Sequence, residues 1–217
     1  MNKMKKFNPL LYLVTDSSGL EEKDFLNKVE QALKGGVTLL QLREKEKSGL
    51  EFYNLSLKVK KIADFYDVPL IINDRADIAL AVDADGVHLG QNDIPVFEAR
   101  KMLGPDKIIG ASTKTIEQAK KAKNDGADYL GVGAIFPTTT KVITVITPVK
   151  TLDEICRSVK IPAVAIGGLN KENINVLKGV PISGVSVVSA VMKSENPFEA
   201  ARDLKTAVTQ ILNGDMQ

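Results

Sequence analysis

The sequence predicts a single (β/α)8 barrel over residues 1–217, and three observations lead there. Short β-rich runs alternate with amphipathic stretches along the chain, about eight such units can be counted, and no linker or low-complexity tract separates them. Alternation of this kind implies a parallel sheet. An open, doubly wound sheet has the same periodicity, but the unit count and the lack of a longer switch segment favour closure.

The β-like runs, in chain order, are Leu11–Thr15, Leu39–Arg43, Leu70–Asn73, Gly86–Leu89, Ile108–Ser112, Tyr129–Gly133, Ala163–Ile166 and Gly184–Ser189. Several are continuously apolar, as strands covered on both faces should be. Helical spacing fills the gaps. Phe25, Leu26, Val29, Ala32 and Leu33 form one apolar stripe, and Phe52, Leu55, Val59, Ile62 and Tyr66 a second. Phe198, Ala201, Leu204, Val208, Ile211 and Leu212 form a third. Ser48 with Glu51, Thr115 with Gln118 and Thr151 with Glu154 read as capping boxes that satisfy first-turn N–H groups. Gly35-Gly36 and Gly126 terminate two helices.

Composition removes several function classes. Hydrophobic residues make up 44% and charged residues 26%, ordinary for a soluble globular protein, and a net charge of +2 gives no electrostatic reason for a nucleic-acid or membrane partner. Cys156 is the only cysteine, so no internal disulfide forms, which suits a reducing cytoplasm. His88 is the sole histidine, which argues against a Cys/His zinc site and leaves a hard, oxygen-ligated ion as the expected metal. The basic N-terminus lacks the apolar run of a signal peptide, and no stretch approaches the roughly 18 apolar residues of a membrane helix.

In a barrel of this kind the site lies at the C-terminal ends of the strands. After the second run, Gln41, Arg43 and Lys45 share one face by period two, while Leu40 and Leu42 take the other. Cations on an interior face are costly unless an anion meets them; a solvated helix start is the alternative. Asp74, in Asn73-Asp74-Arg75, and Asp93, in Gly90-Gln91-Asn92-Asp93, follow the third and fourth runs. Two carboxylates on adjacent strand ends suit Mg2+, although capping the next helix is the commonest use of Asp. Ser112 suits either a ligand contact or a cap. Pro137-Thr138-Thr139-Thr140-Lys141 offers hydroxyls and an ammonium to phosphate, or is simply a loop. Gly167-Gly168, before a helix expected near Asn170, and Val188-Ser189 fall in the seventh and eighth loops, where backbone N–H groups often bind phosphate. His88 reads as a hydrogen-bonded structural residue and Cys156 as a small core residue.

These residues fall in longer motifs: Gln41-Leu42-Arg43-Glu44-Lys45, the run from Asn73 to Asp93, Gly110-Ala111-Ser112, the run ending at Lys141, and Val164-Ala165-Ile166-Gly167-Gly168. In that order they resemble the thiamine phosphate synthases, over nearly the whole chain. The resemblance implies a transferase of thiamine biosynthesis. Such an enzyme joins 4-amino-2-methyl-5-hydroxymethylpyrimidine diphosphate to thiazole phosphate and releases pyrophosphate, through a resonance-stabilised pyrimidine cation. It implies that Gln41, Arg43, Lys45, Asn73 and Ser112 contact the pyrimidine diphosphate and that Asp74 and Asp93 hold Mg2+. It further implies that Thr138, Thr140 and Lys141 lie between the substrates, and that Gly168, Val188 and Ser189 receive the thiazole phosphate. Arg43, Lys45, Lys141 and Ser112 are then the catalytic set. The expected partners are phosphorylated small molecules in the cytoplasm, not nucleic acid or membrane, and self-association into a homodimer stays open.

Three positions depart from the family pattern. Lys114 stands where relatives commonly carry His, Ala134 replaces a common Pro, and Val142 to Thr147 is more apolar than the expected polar loop. Two rival readings remain: a thiazole tautomerase-like isomerase on the same barrel, and a non-catalytic barrel that binds a phosphate ligand. Lys114 with Asn73, Asp74 and Asp93 weighs against the first, and Arg43, Lys45 and Lys141 weigh against the second.

Overall fold

The computed structural model describes residues 5–138 and 145–214. Eight parallel strands close into a barrel in chain order, with β1 (Leu11–Val14) pairing both β2 (Leu39–Leu42) and β8 (Gly184–Val187). Between these lie β3 (Leu70–Asn73), β4 (Gly86–Leu89), β5 (Ile108–Thr113), β6 (Tyr129–Gly133) and β7 (Ala163–Ile166). Eight α-helices accompany them among the described residues: α1 (Glu22–Lys34), α2 (Gly49–Phe65), α3 (Ala76–Ala81), α4 (Val96–Leu103), α5 (Ile116–Asn124), α6 (Val149–Ser158), α7 (Ser189–Met192) and α8 (Pro197–Asn213). No helix among the described residues is long and apolar enough to cross a membrane.

Period two along each strand divides the core. Leu11, Leu13, Leu40, Leu42, Leu70 and Ile72 point outward and pack under the helices, on Phe25, Val29, Phe52, Leu55 and Val59 among others. Tyr12, Val14, Leu39, Ile71, Tyr129 and Val164 fill the barrel itself. Phe7 enters from the N-terminal end and lies 5.3 Å from the Tyr129 ring, centroid to centroid. Lys5 anchors that segment through the Asp64 carboxylate at 2.6 Å, the Val68 carbonyl at 2.9 Å and Asp85 at 3.2 Å.

The helix ends follow local chemistry, with some differences from the sequence pattern. Ser48 and Glu51 form the expected reciprocal box at α2. Thr115 Oγ1 accepts from the Gln118 N–H at 3.2 Å, but the Gln118 side chain reaches back to the N–H of Lys114, one residue earlier than a box requires. Thr151 and Glu154 do not begin a helix. Pro148 precedes the first residue of α6, where a missing N–H costs nothing, so Thr151 already lies within the first turn. The eighth strand stops at Val187 rather than Ser189, because Val188 leaves the extended region (ψ −82°) and Ser189 starts α7. After β7 no α-helix forms near Asn170. Its side chain accepts from the N–H groups of Glu172 and Asn173, and only a 3₁₀ turn at Ile174–Leu177 follows.

Candidate functional site

A cavity of about 470 Å³ opens at the C-terminal end of the barrel. Its lining takes in most of the residues singled out in the sequence: Gln41 and Arg43 from β2 and its exit, Asn73 from β3, Ser112 from β5, Thr138 from the loop after β6, and Gly168, Val188 and Ser189 after β7 and β8. Lys45, Asp74 and Asp93 are not in the lining but stand together as one cluster outside it. Thr140 and Lys141 lie outside the described residues, as do Val142 to Thr144 of the apolar stretch.

Within β2 the alternation is the expected one, but the strand ends at Leu42, so Arg43 and Lys45 follow it in the exit segment. Gln41 is buried (3% exposed) and points inward with Leu39, whereas Leu40 and Leu42 point to the helices. Two residues on, Arg43 reaches the mouth, its own backbone N–H donating to Thr15 Oγ1 at 3.1 Å. Asn73 is buried too, and its side chain lies beside the Asp74 carboxyl.

At the cluster, Lys45 and Asp74 form an ion pair and the Asp74 and Asp93 carboxyls are hydrogen-bonded to each other. The Gly90 N–H donates to Asp93 Oδ2 at 2.7 Å. Burial raises the Asp74 carboxyl, but its bonds with Lys45 and Asp93 outweigh that and hold it below its ordinary value. Burial, helped by the neighbouring Asp74 and opposed by the Gly90 N–H, raises the carboxyl of Asp93. Two carboxyls in contact cannot both ionise without a proton or a cation between them. That demand fits a hard divalent ion, which takes one or two protein carboxylates and completes its shell with phosphate oxygens.

On the opposite wall the backbone makes the site. Gly167 (φ 102°) and Gly168 (φ 63°) adopt left-handed conformations, and a Cβ on Gly168 would lie 2.5 Å from the Pro137 carbonyl oxygen. The loop after β6 is stitched onto this turn by N–H groups of Ile135 and Phe136 donating to Ile166 and Gly167.

Beneath the mouth runs a continuous chain of polar side chains, buried from Gln41 to His88 and half-buried at Ser112. Gln41 Nε2 donates to Tyr12 Oη, which lies 2.7 Å from Tyr129 Oη; that oxygen is 3.0 Å from His88 Nδ1, and His88 Nε2 is 2.9 Å from Ser112 Oγ. His88 is therefore hydrogen-bonded, as expected, but it also lines the cavity. Tyr12, Gln91, Gln118 and Ser186, none of them a site candidate from the sequence, also stand in the lining, as does Lys114, singled out there only as a departure from the family pattern. Ser186 is buried and its Oγ lacks a partner among the described residues. Its signal was present: one hydroxyl in the apolar run Gly184–Val188, on the face that period two sends inward.

The family model described as thiamine monophosphate synthase matches residues 11–191. A thiamine-phosphate synthase of Methanobrevibacter smithii is 56% identical over 201 residues, covering 93% of this chain and 96% of that protein. One of Alkaliphilus oremlandii is 54% identical, covering 91% and 95%. Among solved structures, thiamine phosphate pyrophosphorylase from Pyrococcus furiosus superposes with a TM-score of 0.85 at 39% identity, covering 94% of this chain and 96% of that one.

Proposed function

This chain belongs to the thiamine monophosphate synthase family, and from that premise we propose that its barrel mouth joins 4-amino-2-methyl-5-hydroxymethylpyrimidine diphosphate to thiazole phosphate, releasing pyrophosphate. The observation that carries the reading is the two-sided cavity. Arg43 and the Lys45–Asp74–Asp93 cluster lie at one side, and the Gly167-Gly168 turn with Ser189 faces them across the mouth. One side suits a leaving diphosphate and the other a phosphate that stays on its ring.

The C–O bond between the pyrimidine methylene and the diphosphate breaks, and its electron pair leaves with the pyrophosphate. The methylene cation is delocalised into the aminopyrimidine ring, and the thiazole nitrogen donates its lone pair to form the new C–N bond. No protein nucleophile is needed. Arg43 and Lys45 oppose the charge that grows on the leaving oxygens, a stabilisation made chiefly in the transition state. Asn73, on β3 beside Asp74, offers its amide as a donor. Ser112 and Gln41 hold the ring, while Gly168, Val188 and Ser189 hold the thiazole phosphate so that the two reactants meet within one cavity. Thr138 lies between the substrates, and the same role for Thr140, with a diphosphate contact for Lys141, rests on the family resemblance. Asp74 and Asp93 would hold Mg2+, whose charge is the kind a departing diphosphate requires.

Purified chain mixed with both substrates and Mg2+ should release pyrophosphate in step with thiamine phosphate. Isomerisation of the thiazole without coupling would put the tautomerase in its place. A calorimetric binding isotherm with no turnover would mark a silent phosphate-binding barrel.

A further inference from the structure

The chain Gln41–Tyr12–Tyr129–His88–Ser112 crosses the barrel interior through five strands, and both of its ends line the cavity. Its members have few protons to distribute. A phenol has one, a neutral imidazole has one, and burial raises both Tyr12 and Tyr129 well above the ordinary phenol value, so each keeps its proton. Once the direction of one bond is fixed, the others follow. With Gln41 Nε2 donating to Tyr12 Oη, the Tyr12 hydroxyl donates to Tyr129 and the Tyr129 hydroxyl donates to His88 Nδ1. His88 must then carry its proton on Nε2 and donate to Ser112 Oγ. That leaves the Ser112 hydroxyl proton for the cavity, and Gln41 Oε1 as an acceptor at the other end.

We infer that this buried chain sets the donor and acceptor pattern of the cavity floor, with His88 and Tyr129 as positioning residues that make Ser112 a donor and Gln41 an acceptor toward the substrate ring. The ligand selected is a heteroaromatic ring that offers an amino group to Gln41 and an unprotonated ring nitrogen to Ser112. Its oxo counterpart, which carries a carbonyl and a protonated nitrogen on that edge, meets an acceptor with an acceptor and a donor with a donor. A floor built to hydrogen-bond one pattern rejects the other, because its own buried groups are left unpaired. Reversing the chain would require every member to turn at once: the Gln41 amide, two hydroxyls, the imidazole tautomer and Ser112.

The packing holds the chain in register. Gly110 and Gly131 leave the space that Tyr129 and His88 occupy: a Cβ at Gly110 would lie 2.4 Å from His88 Nδ1 and 2.4 Å from Tyr129 Oη, and one at Gly131 would lie 3.0 Å from His88 Cε1. Phe7 beneath and Tyr12 beside it fix the Tyr129 ring, with centroids 5.3 Å and 5.8 Å away.

This inference rests on the substrate reading above only for the identity of the ring, and its first test needs no substrate. His88 is the sole histidine, so one 15N-labelled imidazole gives an unambiguous long-range 1H–15N spectrum. The free full-length protein should show the Nε2–H tautomer, and the Nδ1–H tautomer would overturn the inference. In Tyr129→Phe, which keeps the ring but removes the bond to Nδ1, the single tautomer should give way to a mixture. With thiazole phosphate and Mg2+ present, the ratio of kcat/KM for the aminopyrimidine diphosphate over its oxo analogue should fall by about 10-fold or more in Tyr129→Phe. An unchanged ratio in a folded variant refutes the role of the chain in selectivity. If the wild-type protein couples neither pyrimidine, the function proposed above fails instead, and the tautomer of His88 still decides the polarity. Should Tyr129→Phe fail to fold, the wild-type spectrum remains decisive.

Discussion

Replacing Gly110 by alanine separates the packing of the barrel interior from simple strand propensity. In the middle of a strand, glycine to alanine ordinarily stabilises by about 0.5–1 kcal/mol, because alanine loses less backbone freedom on folding. Gly110 sits in β5 with an ordinary φ, so propensity alone predicts a gain. The side chains opposite predict a loss. A Cβ there would lie 2.2 Å from Tyr129 Cζ, where apolar contacts settle near 3.7 Å, so the ring must retreat by about 1.5 Å. It is held by Phe7, Tyr12 and His88, so any retreat presses on another ring. Overpacking of this kind costs about 1–3 kcal/mol. Moving Oη away from His88 or Tyr12 leaves at least one buried polar group unpaired, for about 1–3 kcal/mol more. Net of the propensity gain, Gly110→Ala should destabilise by about 3 kcal/mol, lowering Tm by roughly 6–12 °C for a chain of this length. Gly104→Ala is the control. Gly104 has φ +80° and ψ −178° but nothing within 4 Å of an added Cβ, so backbone strain of about 1–3 kcal/mol applies without a steric clash. Thermal unfolding followed by circular dichroism measures both. A Gly110→Ala protein at least as stable as wild type would show that Tyr129 is not fixed as described.

Further outcomes follow from individual side chains. Arg43→Ala should lower turnover by roughly 100-fold or more, the usual loss when a donor to developing charge is removed; near-normal turnover would remove Arg43 from the catalytic set. Asp93→Ala should raise the Mg2+ concentration for half-maximal rate by at least about tenfold, and an unchanged titration would contradict a metal role for the Asp74–Asp93 pair. Ser186→Ala removes a buried hydroxyl that has no partner among the described residues, so the unliganded variant should gain about 1 kcal/mol, roughly 2–4 °C in Tm; a loss would mean that the hydroxyl is satisfied. Burial, helped by Asp153, pushes the Cys156 thiol up to about 11 from an ordinary 9.0, so at pH 8 the folded protein presents about 100-fold less thiolate than the unfolded chain. Alkylation of the native protein should therefore accelerate with pH up to about 11, and a rate at pH 8 equal to that in urea would refute this.

Strand order and most strand limits were legible because both faces of a barrel strand are buried. Leu70–Asn73, Gly86–Leu89, Tyr129–Gly133 and Ala163–Ile166 end where polar or glycine residues interrupt apolar runs, and the structure ends them there too. The errors fell where a side chain competes with the backbone locally. Asn170 captures the N–H groups that an α-helix would have used, and Pro148 starts α6 three residues before the Thr151 that resembled a cap. Site residues at strand exits were legible because Arg, Asp and Asn there break an apolar rhythm. Tyr12 and Tyr129 were not, since a tyrosine in an apolar run reads as core, and both are core: each is buried by its ring and enters the site only through its hydroxyl.

The vertical order of the barrel explains why wiring and charge coexist in one small cavity. Two residues along a strand is one step toward the mouth. β2 climbs from Leu39 in the apolar fill to Gln41 in the hydrogen-bonded floor, and the segment leaving it passes Arg43 in the lining and Lys45 beside Asp74. β3 climbs from Ile71 to Asn73, and β4 from Gly86, where only a hydrogen fits beside the Ile108 carbonyl, to His88 and then Gly90 at the Asp93 cluster. Each step up the strand is better solvated, so each tolerates a more polar group: hydrocarbon, then neutral groups with partners, then full charge. A lysine at the level of Gln41 would lose its hydration without a counter-ion, and a phenol at the level of Arg43 could not oppose a diphosphate. Neutral recognition is therefore confined to the floor and charge recognition to the rim. A substrate with an aromatic ring at one end and a diphosphate at the other matches that gradient in the single orientation that sends its ring down and its leaving group out.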